Sequence, residues 1–423
     1  MKSSRRALLA AVGASALAGC STVRDVTGPG FERVSEPGPG ADSWPAPGWD
    51  RRNRCANPAA SIPESEPSME WATAIAAGIG ERSGEPATPR VSDGTVVVGH
   101  SDGLDAFDAG NGADQWTVSM GDSSYVSPTI VDSTVYTGSA RGFHAFSLDS
   151  GSERWAATAE SLPMTTLNDL STARAPVGVH GWLFAATANY VLSLDAAGSL
   201  RWWADSAFSS PLEAPLATNG EDVFVTRGGQ IGSFDLPIDP WQGPLDTDHR
   251  VPKDTGRRWH PYVEANGGPL AGDSLVYQPV YFGNDYEHGS LLALERDDGS
   301  QRWSFETAGE GPSASLAHGT VFVGDSRGEL DALDATSGKE RWVETVSTPE
   351  WEYTATEPKA GRNGVVATGE EIVHYGLDGT ERWRLSPGAR PLLSTVLTDG
   401  RLYVLTGHNE PEGYLDYELR CYA

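Results

Sequence analysis

Short apolar, β-branched runs alternate with Asp, Gly and Ser turns along most of this chain, and nowhere does a 3.6-residue apolar period persist. Two stretches show the unit most clearly. VSPTIVDSTVYTGSARGFHAFSLDSGSERW covers residues 126–155, and SASLAHGTVFVGDSRGELDALDATSGKERW covers 313–342. Each reads as three short strands (a, b and c) divided by turns, then a fourth, d, that carries a tryptophan. Alternation such as Thr320-Val321-Phe322-Val323 suits strands packed between neighbouring sheets. Eight tryptophans mark the ends of eight such units: Trp71, Trp116, Trp155, Trp202, Trp259, Trp303, Trp342 and Trp383. Gly112, Gly151, Gly198, Gly299, Gly338 and Gly379 each stand four residues before theirs, and Gly256 stands three before Trp259. A left-handed c–d turn needs glycine there, and an Asp such as Asp108, Asp149 or Asp334 can bond the turn backbone. The tryptophans are expected to fill the wedges between sheets.

A period near 40 residues in an all-β pattern predicts an eight-bladed β-propeller of four-stranded antiparallel blades. Trp71 has no strands a to c before it, while 393–397, 401–405 and 417–421 have no d after them. The last blade is therefore expected to be closed by the N-terminal strand, which removes exposed sheet edges.

These residues resemble the quinoprotein-type, or PQQ-like, propeller repeat: a small residue and an Asp, then a glycine and a tryptophan four residues on, as in Ala332-Leu333-Asp334, Gly338 and Trp342. The resemblance covers about residues 44–423, and Trp44, Gly48, Asp50 and Asn53 are similar to the segment that often precedes the first blade in PQQ-like lipoproteins. The nearest likeness is to haloarchaeal lipoproteins of this type, and a more distant one is to the bacterial lipoprotein that scaffolds outer-membrane barrel assembly. Quinoprotein dehydrogenases of the family carry a quinone over the channel, a calcium site and, in many members, a vicinal cysteine pair. No adjacent cysteines occur here.

The N-terminus adds an address. Lys2, Arg5 and Arg6 precede an apolar run of residues 7–18, shorter than the roughly 20 residues a membrane span needs but suited to a signal sequence. Ser4-Arg5-Arg6-Ala7-Leu8-Leu9 resembles a twin-arginine export signal, and Leu17-Ala18-Gly19-Cys20 a lipobox. The organisation expected is a signal peptide over 1–19, a flexible tether over 20–43 lipid-anchored at Cys20, and a propeller over 44–423. That places the body outside the cytoplasm, on the outer face of the cytoplasmic membrane; an ordinary soluble signal is the alternative.

The chain carries 58 acidic against 31 basic residues, a net charge of -27, and only four of the basic residues are lysine. This balance points to concentrated salt, where a Debye length of about 3 Å near 1 M suppresses self-repulsion; a generic acidic secreted protein is the other reading. It argues against a nucleic-acid partner. Cys55 and Cys421 are the remaining cysteines, and outside the cell they can pair in only one way; two buried free thiols are the alternative.

Catalytic motifs are absent: no metal-spaced histidines, nucleophile elbow or phosphate loop occurs. Asp246, Asp248 and His249, and Asn284, Asp285, Glu287 and His288, form two acidic groups that could hold a cation weakly, although in so acidic a chain solvated loop is the favoured explanation. Long connections at 158–174, 203–213, 346–359, 284–289 and 408–413 fall on d–a and b–c loops, which share one face, while an excursion over 236–254 falls on the other. Trp203, Tyr286, Trp351 and Tyr353 are the aromatics expected on that elaborated face. The function expected is a monomeric, non-catalytic binding or scaffold protein with a protein partner at the cell surface, with no metal and no cofactor. A quinone-dependent dehydrogenase, using pyrroloquinoline quinone and calcium, and a channel binder of sugars or small ligands are the alternatives.

Overall fold

The computed structural model describes residues 39–75, 87–120, 127–139, 141–158, 162, 176–179, 181–186, 190–205, 216–227, 229–235, 257–265, 267–281, 288–346, 356–388, 390–391, 395–409 and 415–423. Every regular element among them is a β-strand. The first sheet shows the pattern: Arg90–Ser92, Thr95–His100, Gly103–Asp108 and Asp114–Ser119 pair antiparallel in chain order. Its second strand is buried at every position, because both faces of the sheet meet a neighbouring sheet, whereas the tryptophan-bearing fourth strand is mostly exposed at the rim. The a–b hairpins are tight. Asp93 (φ 49°) with Gly94 (φ 75°), and His318 (φ 51°) with Gly319 (φ 66°), take the double left-handed turn that matches strand twist.

Among the described residues the strands form seven sheets, of which one has nine strands. That sheet holds two successive meanders, with inner strands Ala217–Thr218 and Leu270–Ala271. Strand Tyr262–Ala265 welds them by pairing with both Gly229–Asp235 and Leu275–Tyr281.

Ring closure follows the expected plan. Strand Met69–Ile75 pairs antiparallel with Leu415–Tyr422, placing Trp71 opposite Cys421 and Thr73 opposite Leu419. Trp71 then packs 5.9 Å from the Tyr403 ring in a cluster that also holds Val96, Val98 and Phe107 of the first sheet.

At Trp71, Trp116, Trp155, Trp259, Trp303 and Trp342 the wedges repeat one contact, and the glycine and tryptophan that recur together in sequence meet across sheets, not within one. A Cβ on Gly112 would stand 2.6 Å from Trp71, on Gly151 2.8 Å from Trp116, and on Gly338 2.6 Å from Trp303. The indole N–H donates to the same turn: Trp116 to Leu148 O at 2.7 Å, Trp259 to Arg296 O at 2.8 Å, Trp303 to Ala335 O at 3.2 Å. Glycine is thus required twice over, by positive φ and by the ring laid flat against it. At the closing wedge no turn exists, and Trp383 donates instead to Pro63 O at 2.7 Å. Turn carboxylates behave as expected at Asp108, which accepts from the Gly110 and Asn111 amides, and at Asp334, which accepts from Ser337.

Candidate functional site at the strapped channel mouth

The innermost strand of each meander lines the central channel, and one irregular segment, residues 40–62, winds around the inside of its mouth. This strap visits the meanders in chain order. Trp44 and Val91 exchange both backbone bonds, at 2.7 and 3.0 Å. Ile130 N–H donates to Pro45 O, Thr218 to Arg51 O, Ala271 to Arg52 O and Leu316 to Arg54 O, all within 2.7–2.8 Å. Asn57 N–H donates to Ala360 O, Gly400 to Ser61 O, and Asp399 to Ala41 O, so the strap ends beside the sheet where it began. Asn57 locks the overlap. Its side-chain amide donates to Ala41 O and Leu397 O, and its carbonyl accepts from the Ala60 amide. Three non-glycine residues here adopt left-handed backbone: Trp49 (φ 74°), Asn53 (φ 54°) and Cys55 (φ 52°). Such strain persists only where surroundings fix it, and it concentrates at functional sites. Gly40 O also accepts from the Asn57 side-chain amide, at 3.4 Å.

Under the strap the channel wall carries buried charge. The Arg90 guanidinium, 1% exposed, donates to Pro128 O, Thr88 O, Pro89 O and the Ser127 hydroxyl. Lys359, 2% exposed, pairs with Glu357 at 2.8 Å. Burial alone would push the Lys359 pKa down, but Glu357 and Cys55 outweigh it and hold the ammonium above its ordinary value. Burial raises the Cys55 pKa, so the group stays a thiol and a poor nucleophile. The wall can therefore orient polar groups, but it offers no activated nucleophile.

Cys55 and Cys421 are both free, which corrects the expected disulfide. Their surroundings differ. The Cys55 carbonyl accepts from the Ser315 hydroxyl at the channel mouth, while Cys421 sits in a strand opposite Trp71, buried in the closing sheet, where burial pushes its thiol up to about 12.

Trp203 also departs from expectation. It lies in strand Leu200–Asp205 opposite Leu192, and it is 8% exposed within a cluster that includes Tyr136, Phe143 and Leu183. It does point away from Trp202, but in a sheet buried on both faces the opposite side is simply the preceding wedge. Tyr286, Trp351 and Tyr353 lie outside the described residues, as do Cys20, the 236–254 excursion and both acidic groups except His288, which is exposed. Among the described residues, no group of three or more His, Cys, Asp or Glu could hold a metal ion.

Sequence reading missed the strap's role and the buried Arg90 and Lys359. The available signal was two cations on otherwise apolar or small-residue inner strands, where an unsatisfied charge would be prohibitive and a built partner is required.

Strap and sheets line a half-open cavity of about 1000 Å³ at this mouth, between residues 39–54 and the a–b turns at Asp93 and Asp132, reaching Val177 and Gly178.

With this geometry in view, comparison with known proteins is informative. No curated protein matches significantly. Among solved structures, BamB from Moraxella catarrhalis superposes with a TM-score of 0.56 at 15% identity, covering 85% of this chain and 98% of that one. Quinohemoprotein alcohol dehydrogenase from Comamonas testosteroni gives 0.62 at 14% identity, covering 90% and 80%. The computationally designed Ika8 protein gives 0.59 at 13%, covering 82% and 98%. At these identities the likeness establishes the propeller fold alone. The repeat family described as outer membrane protein assembly factor BamB matches residues 65–236, 259–370 and 287–410, most of the described ring, and the chain belongs to that PQQ-like propeller family.

Proposed function

We propose that this chain is an exported, membrane-anchored, eight-bladed propeller that acts as a non-catalytic binding or scaffold protein at the cell surface. The strap carries this reading. By bonding the inner strands of nearly every meander, it turns a ring of separate sheets into one stiff disc with one mouth occupied by its own backbone. A stiff disc positions loops for recognition, and strand direction leads us to expect most of the long connections on the opposite face. The family description, outer membrane protein assembly factor, is in keeping with a protein partner.

The dehydrogenase neighbours raise the question of a quinone. Pyrroloquinoline quinone is a multiply charged anion that needs unspent cations, whereas Arg90 and Lys359 already serve backbone carbonyls and Glu357. The described residues of the channel do not fit it, and no step is derived through it.

Capture from solubilised membranes tests the proposal, using the full chain and a variant with Tyr286, Trp351 and Tyr353 changed to alanine. A specific protein should co-purify with the native chain and be lost from the variant. Capture of nothing specific would end this reading. Dye reduction with alcohols after loading with quinone and calcium would replace it with the enzyme, and a thermal shift with free sugars alone would favour a small-ligand binder.

A further inference from the structure

The strap treats all meanders alike but one. In each inner hairpin the middle residue of strand a faces its partner without exchanging backbone bonds, so its own N–H and C=O point into the channel. These residues are Val91, Ile130, Thr218, Ala271, Leu316, Ala360 and Leu397, opposite Val96, Val135, Val223, Val276, Val321, Val365 and Leu402. The strap bonds every one of them. In strand Val177–Val179 the equivalent residue is Gly178, opposite Leu183, and the strap passes it by. Between Pro45, which bonds Ile130, and Arg51, which bonds Thr218, the chain folds back on itself, with Trp49 N–H donating to Ala46 O at 3.0 Å.

The skipped position opens onto the cavity of about 1000 Å³. Gly178 does not adopt a positive φ, so its backbone does not demand glycine. Thr129, on the same wall and 3% exposed, keeps a buried hydroxyl with no hydrogen-bond partner. Carboxylates without an ion partner stand on the wall, at the end away from Arg51, Arg52 and Arg54 in chain order. Arg52 is held by Asp273 and Arg54 by Asp50, while Asp42, Asp93 and Asp132 make no ion pair with a described residue.

We propose that this gap is a binding site for an extended, basic peptide segment of another chain. One peptide residue pairs its N–H and C=O with Gly178 as Trp44 does with Val91, completing the ring of backbone bonds. A flanking lysine or arginine meets Asp93 and Asp132, and the Thr129 hydroxyl gains a partner. The site lies on the strapped face, away from the loop face proposed above, so it adds a second partner surface.

The test is fluorescence anisotropy with the full chain and a labelled acetyl-Val-Arg-Val-Arg-Val-amide, at one fixed salt concentration. Gly178→Pro removes the N–H that the peptide would accept from, on a strand edge where the sheet does not use it, and leaves the net charge unchanged, so non-specific attraction to an acidic protein persists in it. Binding should weaken about tenfold in Gly178→Pro. It should weaken severalfold in the Asp93→Asn, Asp132→Asn pair, and a peptide with glutamate for arginine should not bind. Should Gly178→Pro fail to fold, the double asparagine variant and a peptide N-methylated at its central valine carry the same comparison. Equal binding to the native chain and the Gly178 variant would overturn the proposal, as would no binding to the native chain, the result expected if residues before Pro39 fill the gap. Loop-face capture should survive Gly178→Pro, so the two proposals can fail separately.

Discussion

Adding one methyl group at Gly338 tests the interlock between repeats. Gly338 has φ 69°, and an ideal Cβ there would lie 2.6 Å from the Trp303 ring of the preceding sheet. Gly319, in the same repeat, has φ 66°, but a Cβ there meets nothing within 4 Å. Gly319→Ala should therefore cost only the left-handed penalty, about 1–2 kcal/mol. Gly338→Ala carries the same penalty and must also push the indole aside, adding about 1–3 kcal/mol of overpacking. That displacement also stretches the bond from Trp303 to Ala335 O, now 3.2 Å. Urea unfolding of both variants at constant salt measures the difference. In a Trp303→Ala background, already weakened by about 3–5 kcal/mol, the excess cost at Gly338 should vanish, because the cavity accepts the methyl. Equal destabilisation by the two alanines, or an excess unchanged without the indole, would refute the account of glycine as the seat for a neighbouring ring.

Two buried groups give opposite pH slopes. Burial holds His374 down to about 4, so below the ordinary value of 6.5 the unfolded chain takes a proton that the fold refuses; stability is full above 6.5 and falls by about 3 kcal/mol towards pH 4. Burial, with Glu329 and Asp325 nearby, raises Asp331 to about 7, so the unfolded chain releases its proton first and stability falls as pH climbs from about 4 to 7. Melting curves against pH should lose the acid decline in His374→Gln and the alkaline decline in Asp331→Asn. Replacing Asn57 with leucine leaves Leu397 O without its donor and Ala41 O with only the Asp399 amide, and should cost about 1–3 kcal/mol by urea unfolding. Alkylation under denaturing conditions without reductant should label both Cys55 and Cys421; protection of both would restore the disulfide. Lowering salt from molar to about 0.1 M extends the Debye length to about 10 Å and should depress the melting temperature of a chain of charge -27.

Local rules made the ring legible. Tryptophan spacing and turn glycines depend on contacts repeated from wedge to wedge, so they leave a periodic trace, and the closing pair of Trp71 with Cys421 follows from counting strands at the two ends. The pairing partner of each glycine did not show, because periodicity cannot say whether Gly338 belongs to Trp342 or to Trp303. The strap left no periodic trace, only the entry-segment resemblance of Trp44, Gly48, Asp50 and Asn53, which says nothing of its path. Its bonds run mostly from backbone to backbone, which constrains side chains little, and its few telling residues, such as Asn53 and Asn57, occur once. Trp203 misled for a related reason: alternation separates core from solvent only when one face of a sheet is wet.

The strap also sets a timetable. Residues 40–62 leave the ribosome ahead of the sheets they bind, yet their seats at Ala360, Leu397 and Gly400, and the strand that takes up Trp71, follow long after. No early-made portion can be finished alone, and a chain halted anywhere before Cys421 holds an unfastened front end and an open rim. Quality control thus has a single late checkpoint, and passage through it certifies every sheet at once.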